Sequence, residues 1–245
     1  MKKKASKTGK PRRGRRSAKM AFLAKLAPGL IHEINNPVAV ISAAAQFLER
    51  SAEKGRLSGD MDREDFTLIL GKISKSADKI GNILESFLLY SRAGNVQCEA
   101  LDAGALVEAA LASASVRPLL STIEVTAQIR RGKLAINGDR KKLARIFCNV
   151  IENAAEAMGE GGRLMVKTGR RKGMAVIDFE DSGEGIAGEN PGSVFEPFFS
   201  TKKGKAGLGL AECRAVAEAH GGSVDIKSRG KGRGTKVVIS LPLSR

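Results

Sequence analysis

The sequence predicts an α+β chain in two folded parts: an N-terminal antiparallel helical hairpin, then a domain that alternates helices with strands. Three observations carry this. Apolar residues at Leu23, Leu26, Leu30, Ile34, Val38, Ile41, Ala45 and Leu48 are spaced by three and four, the period of one helical face. A second stripe, Phe66, Ile69, Ile73, Ala77, Ile80, Leu84, Phe87 and Leu88, follows a polar turn containing Gly55 and Gly59. Past residue 103, segments of period two alternate with segments of helical period, within a chain of 42% hydrophobic residues.

Length and charge bound the rest. At 245 residues the chain has room for two modest domains. Its net charge of +16 is uneven, because residues 1–19 hold ten Lys or Arg and no acid. The other 226 residues carry 32 basic and 26 acidic side chains, a balance of +6. Residues 1–19 have little to bury and are expected to be disordered. Such a tail can grip nucleic acid or anionic lipid by releasing counterions, or simply stand solvated. No apolar run approaches the roughly 20 residues that span a bilayer, and no signal-type segment follows the basic start. Cys98, Cys148 and Cys213 are too few and scattered for a disulfide framework or a metal site. Cytoplasmic placement is the expectation.

The first helix is expected over residues 20–50 and the second up to residue 92. A short loop makes them antiparallel, and a lone hairpin cannot cover both stripes. Pairing with a second copy gives a four-helix bundle and hence a homodimer; packing of the stripes on the C-terminal domain is the competing arrangement. Within the first helix stands Leu-Ile-His32-Glu33-Ile-Asn-Asn36-Pro37. His32 is two residues from both Leu30 and Ile34, so it projects away from the stripe, toward water or another domain. An uncharged imidazole nitrogen is a nucleophile toward phosphorus, and a carboxylate that takes the proton from one ring nitrogen frees the other. Glu33 can reach the flank of the ring, while Asn36 lies one turn on, where its amide can orient a water. Pro37 removes a backbone donor and is expected to kink the helix.

In the second part, residues 94–103 read as a linker and 104–116 as a helix ended by Pro118. Ile123–Ile129 alternates as a strand, and 134–136 is another. Asp139 is placed to cap a helix over 140–158 that buries Leu143, Ile146, Phe147, Val150, Ile151 and Ala154. That helix carries Asn149 and Asn153 four apart, with Glu152 between. Asparagine is a poor interior helix residue, and amide oxygens suit Mg²⁺, which takes the rest of its shell from phosphates and water. Strands near 163–169 and 174–180 lead into Asp181-Ser-Gly183-Glu-Gly185. A carboxylate at a strand end can accept from an exocyclic amine, and glycines let a flat ring approach the backbone. Phe195 to Lys202 precedes a cationic stretch with Gly204, Gly207 and Gly209, opening a helix from Leu208 to His220. Amides at a helix start beside lysines suit a polyphosphate, and the stretch can fold over it as a lid. His220 belongs to the helix C-terminus. Strands 223–227 and 236–241 flank a glycine-rich hairpin turn at 230–235.

Taken in order, HEINNP, NVIENAAEAM, DSGEGI, FEPFFSTK, GLGL and GRGT resemble the sensor histidine kinases of two-component systems over about residues 20–243. The resemblance implies a basic tail at 1–19, a dimerisation and histidine phosphotransfer domain at 20–93, a linker at 94–103, and at 104–245 an α/β sandwich ATP-binding domain of the gyrase, Hsp90, histidine kinase and MutL type. His32 would be the phosphoacceptor, Glu33 its activating base, and Asn36 the residue that positions water for dephosphorylation of a partner. Asn153 would bind Mg²⁺, with Asn149 near the phosphates. Asp181 would hold the adenine amine beside Gly183 and Gly185. Glu152, Lys202, Gly207, Leu208, Gly209 and Thr235 would complete the ATP site.

Asn149 stands where hydrolytic ATPases of this superfamily carry a water-activating glutamate, which favours a kinase. Only the basic tail precedes the first helix, so the signal is expected from an unidentified sensory partner, the tail, or sequence beyond this chain. With no receiver domain in sight, an aspartate on a separate response regulator is the implied acceptor, and the same protein would also act as that regulator's phosphatase. The rival reading is a non-enzymatic phosphotransfer or scaffold protein, or a regulator docked through its tail, with a vestigial nucleotide site.

Overall fold

Two long helices open the chain. The computed structural model describes residues 12–53, 63–132, 134–186, 191–200, 205 and 207–244. Helix α1 spans Arg12–Glu53 as a single helix through both Pro28 and Pro37, roughly 63 Å at 1.5 Å per residue. It therefore begins inside the stretch expected to be disordered, eight residues before the expected start. Arg, Lys, Ala and Met are good helix formers, and lengthening an existing helix adds one hydrogen bond per residue fixed. Residues 1–11, and the polar turn at 54–62, lie outside the described residues. Helix α2, Arg63–Ser91, carries Glu64 and Asp65 in its first turn, where acids favour the helix dipole. Together α1 and α2 form the helical hairpin. None of the described helices is long and apolar enough to cross a membrane.

The chain divides into two compact units, Met1–Leu84 and Glu85–Arg245. The division falls inside α2, so the last turns of that helix belong with the second unit rather than the first. Lys142 Nζ donates to the carbonyls of Arg92 (2.6 Å), Ala93 (3.4 Å) and Asn95. The amide of Gln97 donates to Asp139 Oδ2 at 3.1 Å, and Ala93 is buried in the core of the second unit. The expected linker at 94–103 is in part a strand. Residues Glu99–Asp102 form β1, antiparallel to β3, Ala135–Gly138. Leu101 is its one buried residue, too little alternation to read from sequence, and its register is supplied by β3.

Helix α3, Ala103–Leu111, is capped by Asp102, whose side chain accepts from the amide of Ala105. It ends earlier than the expected residue 116. The chain leaves through Ser113 and Ser115 and a single 3-10 turn, Arg117–Leu120, with Val116 fully buried. Strand β2, Ile123–Gln128, follows, and after β3 comes helix α4, Arg140–Met158, with the expected limits. Asp139 caps it, accepting from Lys142 N–H at 3.2 Å.

Strands β4 (Gly162–Arg171), β5 (Met174–Asp181), β6 (Ser223–Ser228) and β7 (Thr235–Pro242) complete a five-stranded sheet of order β2-β4-β5-β7-β6. Only the β2–β4 pair is parallel, Ile123 lying opposite Gly162. The other three neighbour pairs are antiparallel, β4–β5 joined by a turn at 172–173 and β6–β7 by one at 229–234, while β5 and β7 meet after the chain has passed through α5 and β6. Helix α5, Gly209–Ala219, packs beside α4. Leu164, Val166, Ala175, Ile177, Phe179, Val237 and Ile239 from the sheet meet Leu143, Ile146, Phe147 and Val150 of α4 in one core. The rings of Phe147 and Phe179 lie 6.2 Å apart at 41°. Burying one side chain of this size contributes roughly 1.5–3 kcal/mol. One apolar face of the sheet thus holds α4 and α5 rigidly, and those helices carry the polar residues described next.

Candidate functional site

Asn149 and Asn153 lie one helical turn apart on α4 and are half-buried. Gly209, the first residue of α5, sits over both. A methyl group built there would lie 3.9 Å from Asn153 Nδ2 and 4.0 Å from Asn149 Cγ. Leu208 stands at the N-cap of α5. Its apolar side chain has no acceptor to offer, so the first-turn amides of that helix lack a side-chain cap beside two asparagines. Glu212, in the same first turn, is 4% exposed. Its Oε1 accepts from Arg145 Nε at 3.0 Å, and Oε2 accepts from Asn149 Nδ2 at 3.3 Å. Burial pushes its carboxyl above the usual glutamate value, against the opposing pull of Arg145 and Asn149.

Asp181 closes the other end of the site. Its Oδ1 accepts from the amides of Gly183 (2.9 Å) and Thr235 (3.1 Å), which fixes the plane of the carboxylate. The loop that follows is docked on α4, Glu184 N–H donating to Ala157 O at 2.9 Å. Ala157 is one turn beyond Asn153, so both sets of residues are held about 6 Å apart along one helix axis. A Cβ on Gly183 would strike the carbonyl of Ala157, and one on Gly185 (φ +67°) the carbonyl of Gly230. Both glycines admit neighbouring backbone on the side a Cβ would take.

The segment between these ends is tied at its edges. Arg214 of α5 stacks on the ring of Phe195, 4.2 Å from the centroid. Phe198 N–H donates to Gly207 O at 3.1 Å, and Gly207 (φ +64°) has no room for a Cβ against the carbonyl of Phe199. Lys205 pairs with Glu156 of α4. Lys202 lies outside the described residues. Glu152 is half-buried on α4. His220 ends α5, with Nδ1 2.7 Å from Val216 O and Nε2 accepting from Asp139 N–H at 2.9 Å. Those bonds require the Nδ1–H tautomer and tie the end of α5 to the start of α4.

In the first unit, the His32 side chain is 76% exposed, and its Nδ1 is 3.9 Å from Glu33 Oε1. Asn36 is exposed and Pro37 is buried. Of the residues singled out from sequence, the structure brings Asn149, Asn153 and Gly209 together at one end and Asp181 and Thr235 together at the other, and Arg145 and Glu212 join the first group. Arg145 and Glu212 were not singled out from sequence, because an acid in the first turn of a helix is adequately explained by the helix dipole.

Two family models match. Residues 22–96 match the His Kinase A (phospho-acceptor) domain, and residues 138–245 match the histidine kinase-, DNA gyrase B- and HSP90-like ATPase domain. A solved structure of the mycobacterial sensor histidine kinase MprB is 31% identical, with 60% of this chain aligned to 97% of that one at a TM-score of 0.51. The chain belongs to the sensor histidine kinases. Among curated relatives of this kinase chain is sporulation kinase C of Bacillus subtilis (strain 168), 29% identical across 95% of this chain and 52% of the relative. The chain spans about half the length or less of the curated relatives it matches first. The fold is shared with histidine kinase ThkA, solved in complex with the response regulator protein TrrA, at a TM-score of 0.67 and 22% identity over 94% of this chain and 64% of that one.

Proposed function

We propose that this chain is an ATP-dependent histidine autokinase whose acceptor is His32. The observation that carries the reading is the exposed His32 imidazole with the Glu33 carboxylate on its Nδ1 side, in a chain that also belongs to an ATP-binding kinase family. Nε2 attacks the γ-phosphorus of ATP as the bond from that phosphorus to the bridging oxygen breaks, and ADP leaves. The Nδ1 proton, acidified by the new bond, passes to Glu33, whose carboxylate closes the 3.9 Å gap by a rotamer change. The phosphoryl group then moves to an aspartate on the receiver domain of a separate response regulator, which restores His32. In the reverse duty Asn36 orients a water toward that aspartyl phosphate.

The second unit holds the nucleotide. Asp181 accepts from the adenine amine, Thr235 borders the same pocket, and the start of α5 with Gly207, Leu208 and Gly209 meets the phosphates. Glu152 and Lys202 border that site. The donor chemistry fits Mg²⁺, which would be held by Asn153 with phosphate and water oxygens and would neutralise charge on the phosphates. The working form is a homodimer in the cytoplasm, answering to a sensory partner, and the basic tail contacts nucleic acid or anionic lipid. Incubation with γ-labelled ATP and Mg²⁺ is expected to place acid-labile, base-stable label on the wild type. His32→Gln should abolish it with an unchanged melting temperature. Persistent label in that variant would refute the assignment.

A further inference from the structure

One side chain decides which way the amide of Asn149 faces. Its Nδ2 donates to Glu212 Oε2 at 3.3 Å, and Glu212 is gripped from α4 by Arg145, with Nε 3.0 and 3.2 Å from its two oxygens. An ionised carboxylate only accepts hydrogen bonds. Rotated by half a turn, the amide would set its carbonyl oxygen against a carboxylate oxygen, so the pairing selects one orientation of two. With Nδ2 committed to Glu212, the edge turned away from it is the oxygen.

We propose that Glu212, held by Arg145, is a positioning residue that locks Asn149 so that its amide presents an oxygen to the phosphate side of the nucleotide site, as an acceptor for a divalent cation or a cation-bound water. This rests on the nucleotide-site reading above and refines the role of Asn149 within it, since an oxygen repels phosphate and attracts metal.

The fold offers no packing reason for an acid at this position. The neighbours on α5, Ala211, Cys213, Val216 and Ala217, are all buried, and an apolar side chain would fill the same space. The charged or titratable groups around Glu212 are Arg145 and Lys142 from α4 and the adjoining Cys213 thiol, with Glu85 4.0 Å from Arg145. Burial raises the Glu212 carboxyl above the usual glutamate value, while Arg145, Asn149 and Lys142 pull it the other way and favour the carboxylate that accepts from both side chains.

The test is equilibrium ATP binding to the full chain, by calorimetry, in Mg²⁺ and in EDTA, for the wild type, Glu212→Gln and Glu212→Leu. Glutamine has one acceptor oxygen. Giving it to Arg145 turns an NH₂ toward Asn149 and invites the opposite orientation. The Mg²⁺-dependent gain in ATP affinity is expected to fall about 10- to 100-fold, the effect of losing a partner behind a metal-site ligand. Metal-free affinity should stay at the wild-type value. If the leucine variant melts early, the near-isosteric glutamine variant decides. An unchanged Mg²⁺ gain, or a parallel fall in metal-free affinity, overturns the proposal by reducing Glu212 to pocket packing. A wild type that binds no ATP in either buffer removes the nucleotide site and this inference with it.

Discussion

At the scale of residues, the Asp181 end of the candidate site depends on backbone more than on side chains. Asp181 Oδ1 is fixed by the amides of Gly183 and Thr235, and Gly234, just before Thr235, has φ +69° with its Cβ position filled by the carbonyl of Asp181. Gly234→Ala must therefore push the two strand ends apart and strain its own backbone. The expected cost is roughly 1–3 kcal/mol in chemical denaturation, together with weaker ATP binding as the Thr235 amide leaves Asp181. An unchanged denaturation midpoint would show that the turn has slack the geometry denies. Asp181 was legible from sequence because a carboxylate between a strand and two glycines is an unusual local pattern. The close backbone approach at Gly183 and Gly185 was not, since the backbones they admit come from residues 157 and 230, far away in the chain.

At the scale of elements, α4 is the beam on which the second unit is assembled. Its cap, Asp139, accepts from Lys142 N–H and, across the chain, from Gln97 N–H. Partial burial works against the charge on Asp139, but these two amides, with Lys142 and His220 nearby, hold its carboxyl below the usual aspartate value. A depressed folded-state value means that the stabilisation is present above the unfolded pKa and is lost as pH falls through the folded one. Asp139→Ala should cost about 1 kcal/mol near neutral pH, a difference that shrinks below roughly pH 4 as the wild-type carboxyl is protonated. Thermal melts over a pH series would show this; a gap that stays constant into acid would mean that capping is not the source of the effect. The limits of α4 were readable because Asp139 and six core positions in the right period speak together. Strand β1 was not, because Glu99–Asp102 owes its pairing to β3, and the early end of α3 follows from burying Val116 rather than from a local stop signal.

At the scale of the whole molecule, the hairpin leaves apolar surface in water. Phe66, Leu70 and Leu84 of α2 are 39%, 45% and 42% exposed, and with Ala77 they fall within about 40° of one another around the helix at 100° per residue. Ile31 and Val38, seven residues apart on α1, are 56% and 41% exposed. A stripe of this kind on one face of each helix is what a second hairpin would cover in a four-helix bundle, and the match of residues 22–96 to a phospho-acceptor domain supports the same assembly. His32 does not belong to that stripe, so pairing through it would leave the imidazole exposed. Replacing Leu70 and Leu84 together by Lys places charges where the two copies would meet, and should convert a dimer to a monomer in sedimentation experiments. Because the nucleotide site is built within the second unit, ATP affinity should survive the change. Label at His32 should fall with the dimer if the paired helices set the approach of the nucleotide to the imidazole. A wild type that sediments as a monomer at micromolar concentration, or a double-lysine variant that stays paired, would put the contact elsewhere and leave the α2 stripe to some other cover.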